Sequence, residues 1–307
     1  MVYKENVLKE RETHDKKTKL YIAIFLNLLI VFLQILFGIY SNSVSLITDA
    51  VHNFQDVLSL VVALVAINAI SKKPTLEMTY GFLKAEVMAG FINNLVLLFT
   101  LIFIKFEATV RLIHPEEVKG LYVIVFGFLA FLINLFSAII LKVHHHHEED
   151  HHHHHEDMNI KAAYLHLMSD AVLSLAVVIG GIFIYLFSIY WIDPLLSLIF
   201  VIYIAKEVLK ALKDNYHLLM EGVPKSVDLN KLIEEIEKNF PQIIEIHDLH
   251  IWGISSKDIY LSAHIVIDDL NNFTMILEDL EKFLAEKGIN HITVQPEKPD
   301  RKCNILH

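Results

Sequence analysis

The chain has 307 residues, 54% hydrophobic and 20% charged, with a mean hydropathy of +0.46 and a formal net charge of −10. That is too apolar for an ordinary soluble domain of this length, so a membrane class comes first. The single cysteine, Cys303, excludes an intrachain disulfide and suits a reducing compartment.

A charged segment, 1–19, precedes six apolar runs: Leu20–Tyr40, Ser45–Ile70, Phe82–Ile104, Leu121–Val143, Ala162–Phe187 and Trp191–Leu209. Each holds about 20 residues or more, enough to cross a ~30 Å hydrocarbon core at ~1.5 Å rise per residue. The first has no small-residue cleavage site and is expected to be a retained span and not a signal peptide. With the N-terminus in the cytoplasm, fourteen Lys and Arg lie near inner span ends and three near outer ends, Lys105, Arg111 and Lys119. The bias of basic residues therefore predicts that both termini are cytoplasmic.

The second span carries DAVHNFQD, Asp49 to Asp56. An ionisable group near a bilayer centre costs roughly 2.5–3.5 kcal/mol, so such residues face the protein interior and mark ion paths. Between the fourth and fifth spans lies HHHHEEDHHHHHED, His144 to Asp157, with nine His among its first twelve residues. Nothing in it can bury apolar surface, so a disordered loop is expected. Its interspersed acids and internal position set it apart from an affinity tag.

The fifth span then repeats the earlier spacing as HLMSD, His166 to Asp170, matching His52 to Asp56. Members of each pair are one turn apart, about 6 Å of rise, so both leave one helix face. Two such helices side by side offer two imidazoles and two carboxylates, a set suited to tetrahedral zinc. One pair alone reads more simply as an interhelical polar contact; the repeat points to a metal site within the membrane. Asp49 has Ala163 as its counterpart, so the repeat does not require it. It is expected towards the other end of the ligand face, lining the ion's path. Asn27, Asn93 and Asn134 are expected to make interhelical hydrogen bonds.

The tail from Asp214 to His307 holds 17 acidic and 9 basic residues, a net of −8. It draws cations and is a poor nucleic-acid binder. Periodicity predicts a helix at Asp228–Phe240 stopped by Pro241, then strands at Ile243–Trp252 and Lys257–Ile267. The second strand sets Ile259, Leu261, Ala263, Ile265 and Ile267 on one face, with His264 opposite. A helix at Phe273–Glu286 stopped by Gly288 and a short strand at His291–Gln295 follow. The order α-β-β-α-β predicts a ferredoxin-like α+β cytosolic domain. Roughly 80 residues barely support a core alone, which favours a partner copy. The expected architecture is an α-helical membrane protein: a cytosolic segment at 1–19, six transmembrane helices within 20–212 with the His-rich loop at 144–157, and the cytosolic domain at 213–307.

Several stretches together resemble the cation diffusion facilitator family of zinc transporters over most of the chain after about residue 15. They are SNSVSLITDAVHNFQD, TYGFLKAEVMAGFINN, EATVRLIHPEEV, AAYLHLMSDAVLSL, WIDPLLSL, EIHDLHIW and LSAHIVI. The resemblance implies a homodimer in the lipid bilayer, six spans and a metallochaperone-like cytosolic domain. It implies exchange of cytosolic divalent cations for protons, with His52, Asp56, His166 and Asp170 as the transport site. The histidine-containing version is similar to the zinc-preferring branch. His247 and His264 match family ligand positions in the cytosolic domain, and His291 lies beside the usual third position. Glu297 and Cys303 fall in a tail region that sometimes supplies ligands, and His250 reads equally as a fold-supporting residue. SKKPTLEMTYG, Ser71 to Gly81, has no histidine, so the family's loop site is not carried over.

A histidine ligand must lose its proton to bind metal, so zinc and protons compete at one site, with His52 and His166 as proton acceptors. The expected function is export of zinc in exchange for protons, at the cell membrane, with cadmium and cobalt as further cargoes the sequence does not separate. No cofactor is expected. A membrane-anchored metal sensor or store is the alternative, but an anchor needs no intramembrane ligands. A metalloprotease would need H-E-x-x-H with its glutamate beside a ligating histidine in the spans, and the spans hold neither, so no enzyme is expected.

Overall fold

The computed structural model describes residues 25, 27–70, 72–145, 154–255 and 258–300. Cys303 and residues 146–153 of the histidine run lie outside them. Contacts divide the chain into two compact units, Met1–Val61 with Leu95–Leu209, and Val62–Asn94 with Lys210–His307.

Six helices come first: α1 (Asn27–Ser41), α2 (Val44–Ile70), α3 (Ala85–Ile113), α4 (Gly120–His145), α5 (His154–Phe187) and α6 (Ile192–Leu219). Asn42 makes the tight turn between α1 and α2 at φ +58°, a left-handed conformation that asparagine tolerates. Ser43 then caps α2, its hydroxyl accepting from the Leu46 amide at 3.1 Å. Among the described residues three helical stretches are long and apolar enough to cross a membrane: Ala85–Ile113, Gly120–Ile139 and Tyr164–Phe187.

Two helices outrun their expected apolar runs. α3 continues past Ile104 to Ile113, where Arg111 bonds back to Glu107 one turn earlier at 2.7 Å. α6 continues ten residues past Leu209 to Leu219 through a polar stretch with helix-forming residues. The helices also run into the histidine segment, α4 ending at His145 and α5 starting at His154. The expected disordered loop of 144–157 is thus helical at both ends, because each helix propagates beyond its apolar part.

α4 and α5 approach closely through glycines. A methyl added at Gly120 would stand 2.7 Å from the Tyr185 amide nitrogen and 2.8 Å from the Gly181 carbonyl oxygen. One added at Gly181 would stand 3.1 Å from the Ile124 amide nitrogen. Small residues let two backbones pack at this distance in an apolar setting.

The tail forms α7 (Leu229–Asn239), β1 (Ile243–Gly253), β2 (Ile259–Ile267), α8 (Phe273–Glu286) and β3 (Ile289–Glu297), the predicted order. Asp228 caps α7 by accepting from the Lys231 amide at 3.2 Å. β2 is central, antiparallel to β1 and parallel to β3. Leu261, Ala263, Ile265 and Ile267 join Leu232, Ile236, Ile276, Leu280 and Leu284 in one core, with Ile259 packed against it. β3 starts two residues before the expected His291, because Ile289 is buried in that core and pairs with Ile259.

Candidate metal centres

α2 and α5 run antiparallel and meet through matched rungs. His52 Nε2 lies 3.0 Å from Asp170 Oδ1, and His166 Nε2 lies 3.3 Å from Asp56 Oδ1. His166 Nε2 also approaches Asp170 Oδ2 at 3.8 Å, and the two imidazole centroids are 6.0 Å apart. The structure therefore brings all four sequence-predicted residues together. Ligand atoms of His52, Asp56 and Asp170 all fall within 4.8 Å of one another. With His166 Nε2 beside Asp56 and Asp170, two nitrogens and two carboxylates make up a donor set for one four-coordinate divalent cation. His52 Nδ1 is buried with no hydrogen-bond partner. The two rungs differ in access: the side chains of His52 and Asp170 are 4% and 3% exposed, those of His166 and Asp56 42% and 35%.

Asp49 sits one turn before His52 and is held by other groups. Its carboxylate accepts from Gln34 Nε2 at 2.6 Å and from Ser174 Oγ at 3.1 Å. That Asp49–Ser174 contact is the next rung of the α2–α5 ladder. The expected interhelical role of Asn134 is observed: its amide donates to Asn53 Oδ1 and to Ser174 Oγ, both at 3.4 Å.

Asp193, fully buried at the start of α6, is a group that reading for ligands passed over. Its carboxylate accepts from Ser43 Oγ and the Val44 amide, both at 2.6 Å, and from Ser45 Oγ at 2.5 Å. It thereby caps α2 from a different helix. The signal was present as an acid opening one span and a serine run opening another, in WIDP and SNSVS.

A second group forms on the cytosolic sheet. β1 and β2 pair His247 with His264, and β3 brings Glu297 beside Val266. His247 Nε2 lies 3.4 Å from Glu297 Oε2, and His264 Nδ1 lies 3.3 Å from Glu297 Oε1. Ligand atoms of these three fall within 4.8 Å of one another. A bulge in β1 turns Asp248 to φ +48° and sets its carboxylate 3.5 Å from His264 Nε2 and 3.0 Å from His250 Nε2. A carboxylate on the far ring nitrogen fixes the imidazole's tautomer and direction.

His291, expected in the cytosolic group from beside the usual third position, does not join it. His291 packs on Tyr260 with centroids 4.7 Å apart, and the group takes Glu297 in its place. His291 stands six residues before Glu297, on the same face of β3 but about 20 Å along it at ~3.3 Å per residue, paired with Tyr260 and not with the His264 end.

Comparison with known proteins gives concordant matches. Residues 20–220 match the family described as the cation efflux transmembrane domain, and 224–299 match the cytoplasmic domain of cation efflux proteins. The cadmium, cobalt and zinc/H(+)-K(+) antiporter of Bacillus subtilis is 35% identical over 85% of this chain and 82% of its own length. The metal cation efflux system protein CzcD of Cupriavidus metallidurans is 32% identical, and the zinc transporter ZitB of Yersinia pestis 31%, each over 93% of this chain and 89% of its own. A solved metal-bound C-terminal domain of the CzcD transporter aligns at 37% identity over 23% of this chain and 99% of that one, with a TM-score of 0.22.

Proposed function

The chain belongs to the cation efflux family, and on that premise we propose that it exports zinc from the cytoplasm in exchange for protons. Cadmium and cobalt, in the name of the Bacillus subtilis relative, are further cargoes of the same charge. The observation that carries the reading is the convergence of His52, Asp56, His166 and Asp170 on two facing helices. These four residues are the transport site. Both imidazoles must be neutral to hold the metal, so each zinc bound excludes protons from His52 and His166, and protons arriving from the other side displace it. Two carboxylates cancel the metal's charge at a depth where an unpaired charge is costly. Exchange follows when the site faces the two sides in turn.

In the same reading α1 to α6 are six membrane spans, both termini are cytoplasmic, and the bilayer is the cell membrane. The tail is a ferredoxin-like domain that joins two copies, and the domain limits are 1–19, 20–212 and 213–307. Zinc held by His247, His264 and Glu297 serves there as a bound ion beside the transported one. Purified protein in sealed vesicles tests the proposal by following zinc and internal pH together. Zinc is expected to move opposite to protons, and Asp56→Ala or Asp170→Ala to abolish that movement while the protein still inserts and dimerises. Wild-type flux in either variant removes these residues from the transport site.

A further inference from the structure

Through the N-terminal half of α2, polar side chains are bound to polar partners on both flanks. Asp49, Gln34, Asn53, Asn134 and Ser174 form a closed hydrogen-bonded circuit through α1, α2, α4 and α5. The circuit has a direction. Asn134 donates to Asn53 and to Ser174; Asn53 donates to Gln34 at 3.2 Å; Gln34 and Ser174 both donate to Asp49, which only accepts. On the opposite flank Asp193 holds Ser43, Val44 and Ser45, and one turn on Thr48 and Ser197 share a hydrogen bond of 2.7 Å. All of these side chains are buried. Past His52 in the other direction the chain opens: Asp56 and His166 are partly exposed, and Ser59 is exposed.

We propose that Asp49 and Asp193 are positioning residues of a polar gate that closes the N-terminal half of α2, leaving the four-residue site open towards the other end. This rests on the transport reading above, and on the N-terminal end of α2 lying outward. A polar seal suits a carrier for a physical reason. An apolar plug must expose its surface to water each time it opens. Here water takes over each hydrogen bond as it parts, and a protein hydrogen bond exchanged for water is worth only about 0.5–1.5 kcal/mol net. Closed and open states therefore stay near balance, so metal and protons can bias them. Within the membrane a group that lost its partner without gaining water would cost several kcal/mol, so a half-open circuit is disfavoured.

The test uses full-length protein in vesicles with Asp49→Asn and, as the gentler change, Ser174→Ala, which removes one of the two arms that end on Asp49. Proton leak without metal, zinc moved per proton, and zinc affinity are measured for each. Proton leak is expected to rise about tenfold or more and zinc moved per proton to fall, with zinc affinity within about threefold of wild type. A wild-type exchange ratio with flux lowered only in proportion to folded protein overturns the gate. So does an affinity loss beyond about a hundredfold in Asp49→Asn, which would place Asp49 in the metal site itself. If the unmodified protein exchanges no zinc for protons, the transport reading fails separately. The leak measurement uses no metal and still decides the gate, which is overturned if neither variant leaks above wild type.

Discussion

Asp170 touches both histidines of the intramembrane group, from His52 at 3.0 Å and from His166 at 3.8 Å, so its two oxygens sit between the rungs. The histidines differ in depth, and His52 is the one sealed from solvent. Exchanging it for a carboxylate replaces the buried nitrogen donor of the group with a third oxygen donor. His52→Asp is expected to relax the preference for zinc over manganese, since a hard oxygen donor with one- or two-oxygen binding suits a higher-coordinate ion. Adding His166→Asp should go further. Competition of manganese against zinc uptake in vesicles reads this, and an unchanged ratio means the histidines do not set selectivity. At this scale the four residues were legible because a helix converts a four-residue spacing into one face, and the motif occurs twice. The partners of Asp49 and Asp193 were not, because Gln34, Ser174 and Ser43 reach them from distant sequence positions that no spacing rule connects.

The tail elements followed from periodicity, and their ends moved by a residue or two where caps and core pairing decided. α7 is a clear case: Asp228 caps it, and Phe240 ends it while entering the core. Across from α7, Lys287 just past α8 pairs with Glu235 of α7. Its ammonium holds the Glu235 carboxyl below the usual glutamate range. A carboxyl depressed in the folded state contributes stability above its unfolded value, about 4.3, and loses it as pH falls through the folded one. Glu235→Gln is therefore expected to lower the melting temperature slightly near neutrality and to have no effect once the wild-type carboxyl is protonated. Thermal melts between about pH 7 and pH 3 read the convergence, and a difference that grows on acidification contradicts it. The long helices ran past their apolar cores, at Ile113 and Leu219, because hydropathy marks what fits lipid and not where hydrogen bonding stops.

Over the whole chain the sequence specified a membrane part and an acidic sheet domain, and it put His291 in the sheet's candidate group where the structure has Glu297, named in the sequence only among the tail candidates. His291 and Glu297 lie on one short strand, and only the parallel register with β2 decides which of them meets His264. Trp252 stacks on Tyr260 with centroids 5.8 Å apart, at the other end of the strands from His247 and His264. Zinc entering between His247, His264 and Glu297 is expected to shift Trp252 fluorescence by tightening the sheet, and His264→Ala to remove the shift. The measurement uses the full chain with Trp191→Phe, so that one tryptophan reports; a response untouched by His264→Ala assigns the metal elsewhere. A larger consequence follows from the glycines of α4 and α5. Gly120 and Gly181 let the backbones of α4 and α5 pack directly against one another. On the gate proposed above, α4 and α5 move as one piece, so Asn134 and Ser174 travel with His166 and Asp170, and α2 carries the residues they face. Pulling α2 away to break the Asp49–Ser174 rung also stretches the His52–Asp170 rung beside it. On that proposal the door and the clamp share one hinge: the displacement that opens the N-terminal end of α2 to water is the same displacement that loosens the grip on the ion, and discharge needs no second trigger.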